Sequence, residues 1–182
     1  MNFTPFPLLQ TERLRLRQLH RKDAIPFFQI RSDDELNKYL PNARPMSIDE
    51  VILLITKLNT GVTENKWIYW AIELIEEKGL IGTICLWNFS VDKKVAEIGY
   101  VLLKPFQGMG YMHEAVEAVL DYAYNEMGMD VIVGHTHRLN SASLRLLQQN
   151  HFQLTDRTST ERPDEEFVYE RRRPGGTALF DE

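Results

Sequence analysis

Residues 95–115 read VAEIGYVLLKPFQGMGYMHEA, and we expect the rest of the chain to support this stretch. Its apolar, β-branched beginning predicts a strand over 95–103, which Lys104 and Pro105 end. Gly108 and Gly110 follow, and a helical pattern begins after them. A helix start leaves backbone N–H groups unpaired and carries the positive end of the helix dipole, and glycine lets a phosphate approach the backbone. The order strand, glycine turn, helix therefore predicts an anion site.

The composition indicates an ordinary globular domain of 182 residues, 43% hydrophobic and 26% charged. A net charge of −5 argues against nucleic acid or an acidic membrane surface as a partner and fits a cationic or amine substrate better. Cys85 is the single cysteine, so an internal disulfide and a cysteine metal cage are excluded. The chain has no apolar run of 18 residues, and residues 1–10 lack a signal-peptide pattern. We expect a cytoplasmic protein, either a monomer or a homodimer.

Before the central stretch, the pattern predicts strands over 11–19, 66–74 and 80–88. Asp23 is expected to start a short helix, and residues 36–45 are expected to form a loop. A second helix begins at Ser47, where Glu50 completes a capping box, and ends at Gly61. The strands 66–74 and 80–88 form a hairpin, and the strand 95–103 pairs next, so the three strands make an antiparallel meander.

After the central stretch, we expect a long helix over 109–127, a strand over 130–137 and a shorter helix over 141–150. Two last strands, 152–157 and 166–173, flank an acidic turn. The element order is thus β-α-α-β-β-β-α-β-α-β-β. It predicts an α/β (α+β) fold with a mixed, mostly antiparallel sheet of about seven strands and helices on both faces. One domain is expected over 8–173, with a tail over 174–182.

Three ligands compete for the glycine turn. A P-loop needs a lysine and a serine or threonine where Tyr111 and Met112 stand. A dinucleotide fingerprint needs a third glycine at His113, within a βαβ unit and usually without a meander before it. A coenzyme A pyrophosphate needs only backbone donors at a helix start, so it fits best.

The turn carries a family resemblance. Residues 107–112, Gln-Gly-Met-Gly-Tyr-Met, match the Gln/Arg-x-x-Gly-x-Gly/Ala signature of the GNAT superfamily of N-acetyltransferases. Residues 11–17 and 97–100, together with Asn140, Ser143 and 150–152, resemble its RimJ/RimL-like branch. The resemblance covers about 8–173 and implies the GNAT fold. It also implies acetyl-CoA as cofactor and direct acetyl transfer to a primary amine, either a protein N-terminus, as in the ribosomal-protein enzymes, or a small amine.

Three positions depart from the family pattern. Met112 replaces the small last residue of the signature, which backbone contacts to phosphate tolerate, and His151 stands where members usually have glycine. Many members carry a tyrosine that protonates the departing thiolate, four residues after Ser143. Leu147 occupies that position here, so a tyrosine acid at that place is excluded.

The resemblance implies a set of cofactor contacts. The N–H groups of 101–103 are expected to polarise the thioester carbonyl and pair with the pantetheine like an added strand. Asn140 would contact the pantetheine, although it equally suits an N-cap, and Ser143 would hydrogen-bond the sulfur. The expected cofactor-binding residues are Val101, Leu102, Leu103, Gln107, Gly108, Met109, Gly110, Tyr111, Met112, Asn140 and Ser143.

Glu97 is the candidate catalytic base, with Ser143 as the second catalytic residue. It is the only acidic residue in the strand that leads into the cofactor turn, and an alkyl ammonium must lose a proton before it attacks. The alternative is a glutamate that pairs in solvent with Lys93 or Lys94. Acceptor selection is expected from the first two helices with their loop, residues 36–45, and from the acidic turn near 164–166.

Other residues carry weaker hypotheses. His135 and His137 lie two apart on one strand but have no accompanying ligand cluster, so no metal is expected. Glu114 is expected to stabilise the helix dipole and Cys85 to lie in the core. Two rival functions stay open: a non-catalytic CoA-binding or acyl-CoA-binding module of the same fold, and, more distantly, a nucleotide-binding protein.

Overall fold

The computed structural model describes residues 1–40, 46–159 and 162–175. In these ranges the strands are β1 Leu9–Gln10, β2 Leu14–Gln18, β3 Ile68–Leu74, β4 Leu80–Trp87, β5 Val95–Leu102, β6 Val131–His137, β7 Gln153–Leu154 and β8 Glu166–Arg172. The helices are α1 Ala24–Ser32, α2 Asp34–Asn37, α3 Ile48–Thr63, α4 Tyr111–Asn125 and α5 Ser141–Gln149. No helix in the described ranges is long and apolar enough to cross a membrane.

The strands form one mixed sheet in the order β1-β2-β3-β4-β5-β6-β8-β7, eight strands in the part of the chain that is described. All neighbours are antiparallel except β5 and β6, which are parallel. A parallel pair needs a crossover connection, and α4 supplies it. The predicted meander and crossover are therefore confirmed.

Helices cover both faces of the sheet, as expected. α4 and α5 pack on the face that carries Trp70 and Ile84. α1 and α3 pack on the opposite face, against Ala71 and Leu80. The alternation of side chains along each strand produces the two cores, since successive residues point to opposite faces.

Local sequence signals explain where most of the helices and strands begin and end. Ser47 accepts a hydrogen bond from the Glu50 N–H (3.2 Å) and donates its own N–H to the Glu50 carboxylate (2.7 Å), so the predicted capping box of α3 is confirmed. The helix continues past Gly61 to Thr63. The two-residue strand β1 is not among the predicted strands. The strand predicted over 152–157 is present as β7, but it has only two residues.

Two predictions near the first helix need correction. The predicted loop over 36–45 begins within the one-turn helix α2, and its part over 41–45 lies outside the described residues. Asp23 precedes α1 as expected, but its carboxylate does not cap that helix. It binds the guanidinium of Arg17 and the N–H of His20 instead.

Arg17, Asp23 and Glu73 form a buried ionic cluster under α1, which the sequence did not indicate. All three residues are less than a tenth exposed. Arg17 makes two hydrogen bonds to Asp23, at 2.8 and 2.9 Å, and a third to Glu73 on the paired strand β3. Burial by itself raises the pKa of Asp23, but the hydrogen bonds from Arg17 and His20 outweigh it and lower this pKa below its usual value.

We predict that Asp23→Asn lowers the stability by about 3 kcal/mol, because it leaves the buried Arg17 charge without part of its compensation. Thermal unfolding at neutral pH should show a decrease in Tm of about 10 °C. Because folding lowers the Asp23 pKa, its stabilisation is present above the unfolded pKa of about 3.9 and is lost as the pH falls through the folded pKa.

The control is Glu35→Gln, which breaks an exposed ion pair with Lys38 and should leave Tm nearly unchanged. Equal Tm values for the wild-type protein and Asp23→Asn would contradict a structural role for the cluster.

Candidate active site

The site begins where two parallel strands separate. β5 and β6 pair in register from Val95–Val131 to Glu97–Val133, and within the described chain no pairing between them continues beyond that point. β5 itself continues to Leu102, still paired with β4 on its other side. A wedge-shaped opening therefore lies between the strands, with Glu97 at its apex.

The glycine turn lies at the wide end of this opening. Gly108 and Gly110 have φ values of 77° and 81°, the left-handed region that favours glycine. Gly110 is the N-cap of α4, and the first intrahelical bond runs from the Glu114 N–H to the Gly110 carbonyl (3.1 Å). The N–H groups of 111–113 precede that bond, so they are available to an anion at the positive end of the helix dipole.

Arg13 holds the turn in place. Its guanidinium donates to the Met109 carbonyl (3.0 Å) and lies 4.6 Å from the centre of the Tyr111 ring. It also binds Glu114, which accepts from the Arg13 N–H and from the hydroxyl of Thr11 as well. Burial raises the pKa of Glu114, but these hydrogen bonds outweigh it, so the net shift is downward. Glu114 therefore tethers the turn to the start of β2.

A cleft of about 620 Å³ runs from the glycine turn to the start of α5. Nine of the eleven predicted cofactor-binding residues line it: Val101, Leu102, Gln107, Gly108, Gly110, Tyr111, Met112, Asn140 and Ser143. Leu103 and Met109 are absent from the described lining: Leu103 packs against the α1–α3 core, and Met109 is exposed. Lys104 and Arg145 also line the cleft; Lys104 pairs with Asp33 (2.9 Å), and Arg145 adds positive charge.

A second groove, about 770 Å³, lies between residues 8–13 and α4. Its described lining lacks the start of α5 and Gly108, and five of the residues along it are carboxylates: Glu12, Glu114, Glu117, Asp121 and Glu126. Carboxylates repel a pyrophosphate, so the smaller cleft is the better anion site.

The structure corrects the prediction for the backbone N–H groups of residues 101–103. The Leu103 N–H donates to the Ile81 carbonyl (2.9 Å), so it points toward β4. Hydrogen-bonding direction alternates along a strand, which directs Val101 toward β4 as well and turns Tyr100 and Leu102 toward the opening. The Leu102 carbonyl indeed accepts from the side-chain amide of Gln107 at 2.9 Å. Of the three predicted donors, only the Leu102 N–H points into the cleft. The Tyr100 N–H points there too, although it is not among the predicted donors.

The start of α5 contributes the polar groups near the middle of the cleft. The Asn140 side chain accepts from the Ser143 N–H (3.1 Å), so Asn140 is an N-cap and lines the cleft as well. The Ser143 hydroxyl lies 2.9 Å from the phenol oxygen of Tyr100. Side chains alternate along β5, so Tyr100 lies on the same face as Ile98 and Leu102, and the sequence pattern could have indicated it.

Glu97 lies on the other face of the sheet from Ser143 and is not among the residues that line the cleft. Its carboxylate accepts from the side-chain amide of Asn88 at 2.6 Å and lies 3.7 Å from His135 Nε2. These contacts take the place of the predicted alternative pairing with Lys93 or Lys94. The side chain is 18% exposed, so solvent reaches the carboxylate at the apex of the opening.

The histidines of β6 face carboxylates. His135 Nδ1 lies 3.8 Å from Glu166, and His137 Nε2 lies 3.8 Å from Glu165. No group of three or more possible metal-ligating side chains occurs among the described residues. The ring of Tyr39 stacks on His137 (4.8 Å), so the segment after α2 reaches the end of the cleft. Of the acidic turn over 161–166, only Glu161 lies outside the described residues, and the part near 164–166 lies beside these histidines.

Cys85, expected in the core, is half-buried rather than fully within it; desolvation raises the pKa of its thiol to about 12, which makes the thiol a poor nucleophile. Leu147 is buried against Gly134, so α5 places an apolar side chain where many family members have tyrosine.

Comparison with known proteins agrees with this geometry. Residues 13–153 match the model of the acetyltransferase (GNAT) domain. The uncharacterized N-acetyltransferase YoaA of Bacillus subtilis is 34% identical over 148 residues, which cover 81% of this chain and 84% of that protein.

Two solved structures share the fold. A GNAT-family acetyltransferase from Bacillus anthracis superposes with a TM-score of 0.79 at 23% identity, covering 91% of this chain and 98% of that one. RimL, a ribosomal L7/L12 alpha-N-protein acetyltransferase in complex with coenzyme A, gives a TM-score of 0.78 at 19% identity, with coverages of 91% and 98%. The chain therefore belongs to the GNAT family of acetyltransferases, enzymes that use acetyl-CoA.

Proposed function

We propose that this protein transfers the acetyl group of acetyl-CoA to a primary amine by direct attack on the thioester, with Glu97 as the base. The observation that carries the proposal is the opening between β5 and β6. The anion site lies on one side of it and a carboxylate stands at its apex.

The cofactor half of the proposal rests on the cleft. The pyrophosphate would bind the N–H groups at the start of α4, and the pantetheine would pair with the open edge of β5 through Tyr100 and Leu102. A thioester carbonyl placed near the apex would then meet the Tyr100 N–H, a fixed donor for the developing oxyanion. Arg145 adds positive charge for the remaining phosphate.

The acceptor half rests on the face opposite α4 and α5. An amine that arrives from the Glu97 side reaches the carbonyl carbon without crossing the cofactor. Glu97 would take the proton that the nitrogen must lose, directly or through a water molecule. Glu165 and Glu166 stand nearby, and their negative charge favours a cationic acceptor. A peptide N-terminus meets these requirements, and the fold is shared with RimL, which is named for that chemistry.

We predict that Gly110→Ala weakens coenzyme A binding about tenfold, because alanine disfavours the left-handed φ of 81° by about 1–2 kcal/mol and the turn must rearrange. Isothermal titration calorimetry with coenzyme A measures the effect. The matched control is Gly128→Ala: its φ is 70°, but it follows α4 at the far end from the cleft, so affinity should persist. Unchanged affinity in Gly110→Ala, or equally tight binding of ATP or NAD, would contradict the cofactor assignment.

We predict that Glu97→Gln reduces kcat at neutral pH by about 100-fold or more and leaves coenzyme A affinity unchanged, since the amide cannot accept the ammonium proton. Residual activity should rise with pH as the free amine becomes abundant. Acetyl transfer to a panel of peptides and polyamines provides the measurement, with Glu77→Gln in the β3–β4 loop as control.

Full activity in Glu97→Gln would remove the assigned base. Tight coenzyme A binding by the wild-type protein without turnover of any amine would favour the alternative, a non-catalytic CoA-binding module.

A further inference from the structure

The departing thiolate poses a specific problem in this chain. When the C–S bond breaks, its electron pair stays on the coenzyme A sulfur, and an anion in a partly dehydrated cleft needs a hydrogen-bond donor. Leu147 cannot supply one, because its side chain is apolar and buried beneath the cleft against Gly134.

Ser143 supplies a hydroxyl donor at the start of α5, and the hydrogen bonds of the helix start do not use it. The N-terminal capping bond of α5 uses the Asn140 side chain and the Ser143 N–H, not the hydroxyl. The hydroxyl lies at the cleft, 2.9 Å from the phenol oxygen of Tyr100. Tyr100 reaches it from β5, across the opening between the strands.

The direction of this hydrogen bond follows from acidity. A phenol is a much stronger acid than an aliphatic hydroxyl, so Tyr100 is the better donor and Ser143 Oγ the acceptor. This arrangement turns the Ser143 proton away from Tyr100 and toward the cleft. Burial raises the pKa of Tyr100 to about 12, although its bond with Ser143 opposes the shift, so the phenol keeps its proton at neutral pH.

We propose that Tyr100 is a positioning residue for the leaving group: its phenol donates to Ser143 Oγ, so that the Ser143 hydroxyl donates to the coenzyme A thiolate. This inference rests on the proposed acetyl transfer and adds a residue to it. Two hydrogen bonds in series polarise each other, which strengthens the one that reaches the sulfur.

The reaction balances without proton loss from either hydroxyl. The acceptor ammonium gives one proton to Glu97, which passes it to solvent. The neutral nitrogen then bonds to the carbonyl carbon and loses its second proton by the same route as the amide forms. The C–S bond breaks with its electron pair on sulfur, and the thiolate takes a proton from solvent as it leaves. Tyr100 and Ser143 keep their protons throughout.

The first test compares Tyr100→Phe with the wild-type protein. The variant should lose about tenfold in kcat, the equivalent of one weakened hydrogen bond to a charged group, with KM for acetyl-CoA and acceptor unchanged. The matched control is Tyr124→Phe, since the phenol of this buried tyrosine also makes a hydrogen bond, to the Arg171 carbonyl at 2.7 Å, but at the end of α4 far from the cleft. The control should keep full activity.

A double-variant cycle tests whether Tyr100 acts through Ser143. Ser143→Ala should cost more than Tyr100→Phe, and the double variant should be no worse than Ser143→Ala alone. Ser143→Thr, which keeps the hydroxyl, should retain most of the activity. Additive losses in the double variant would overturn the relay.

The decisive readout does not need turnover. The pKa of the enzyme-bound coenzyme A thiol, followed by its ultraviolet thiolate absorbance, should lie below that of free coenzyme A in the wild-type protein and rise toward the free value in Tyr100→Phe. An unchanged bound-thiol pKa in Tyr100→Phe would overturn the inference. Failure of the proposed function looks different: the wild-type protein would acetylate no amine, whatever the thiol pKa.

Discussion

The pairing between β5 and β6 ends early, and the opening that it leaves determines where the cleft and Glu97 lie. Two parallel strands that stayed paired would satisfy each other's backbone groups and leave no room between them. Here the pairing ends at Glu97–Val133, and β5 continues with one edge open. Backbone N–H and C=O groups require partners, so an open edge inside a fold is a template for an extended ligand.

The opening also separates two electrostatic environments. On one side lie the start of α4 and Arg145, which suit phosphates. On the other lie Glu97, Glu165 and Glu166, with His135 between two of these carboxylates. The single-layered sheet thus keeps an anionic cofactor on one face and a cationic acceptor on the other until they meet at the apex. The same arrangement explains why Glu97 and Ser143, both expected to be catalytic, lie on opposite faces.

Much of this was predictable from sequence because the deciding signals are local. The capping box of Ser47 and Glu50, the two glycines before α4 and the Asn140 cap each act within a few residues, and the structure contains all three. The strand limits followed from alternation in the same way. By contrast, the Arg17–Asp23–Glu73 cluster joins residues up to 56 positions apart, and nothing in a charged strand marks one arginine for burial.

The site was predicted less completely, for a similar reason. The choice between Val101 and Tyr100 as a backbone donor depends on the register of β5 against β4, which periodicity alone does not fix. The contact between Tyr100 and Ser143 spans 43 residues and exists only because α5 packs on β6 beside the opening. The family resemblance implies Ser143, and alternation along β5 places Tyr100 on the α5 face, but only the fold shows that the two hydroxyls meet.

Backbone hydrogen exchange, resolved by NMR for single amides with and without acetyl-CoA, shows whether the open edge of β5 receives the cofactor. The amides of Tyr100 and Leu102 should exchange readily in the free protein and become protected when acetyl-CoA binds. The amides of Val101 and Leu103, already directed toward β4, should be protected in both states. Unchanged exchange at Tyr100 and Leu102 when the cofactor binds would contradict the claim that the open edge of β5 receives it.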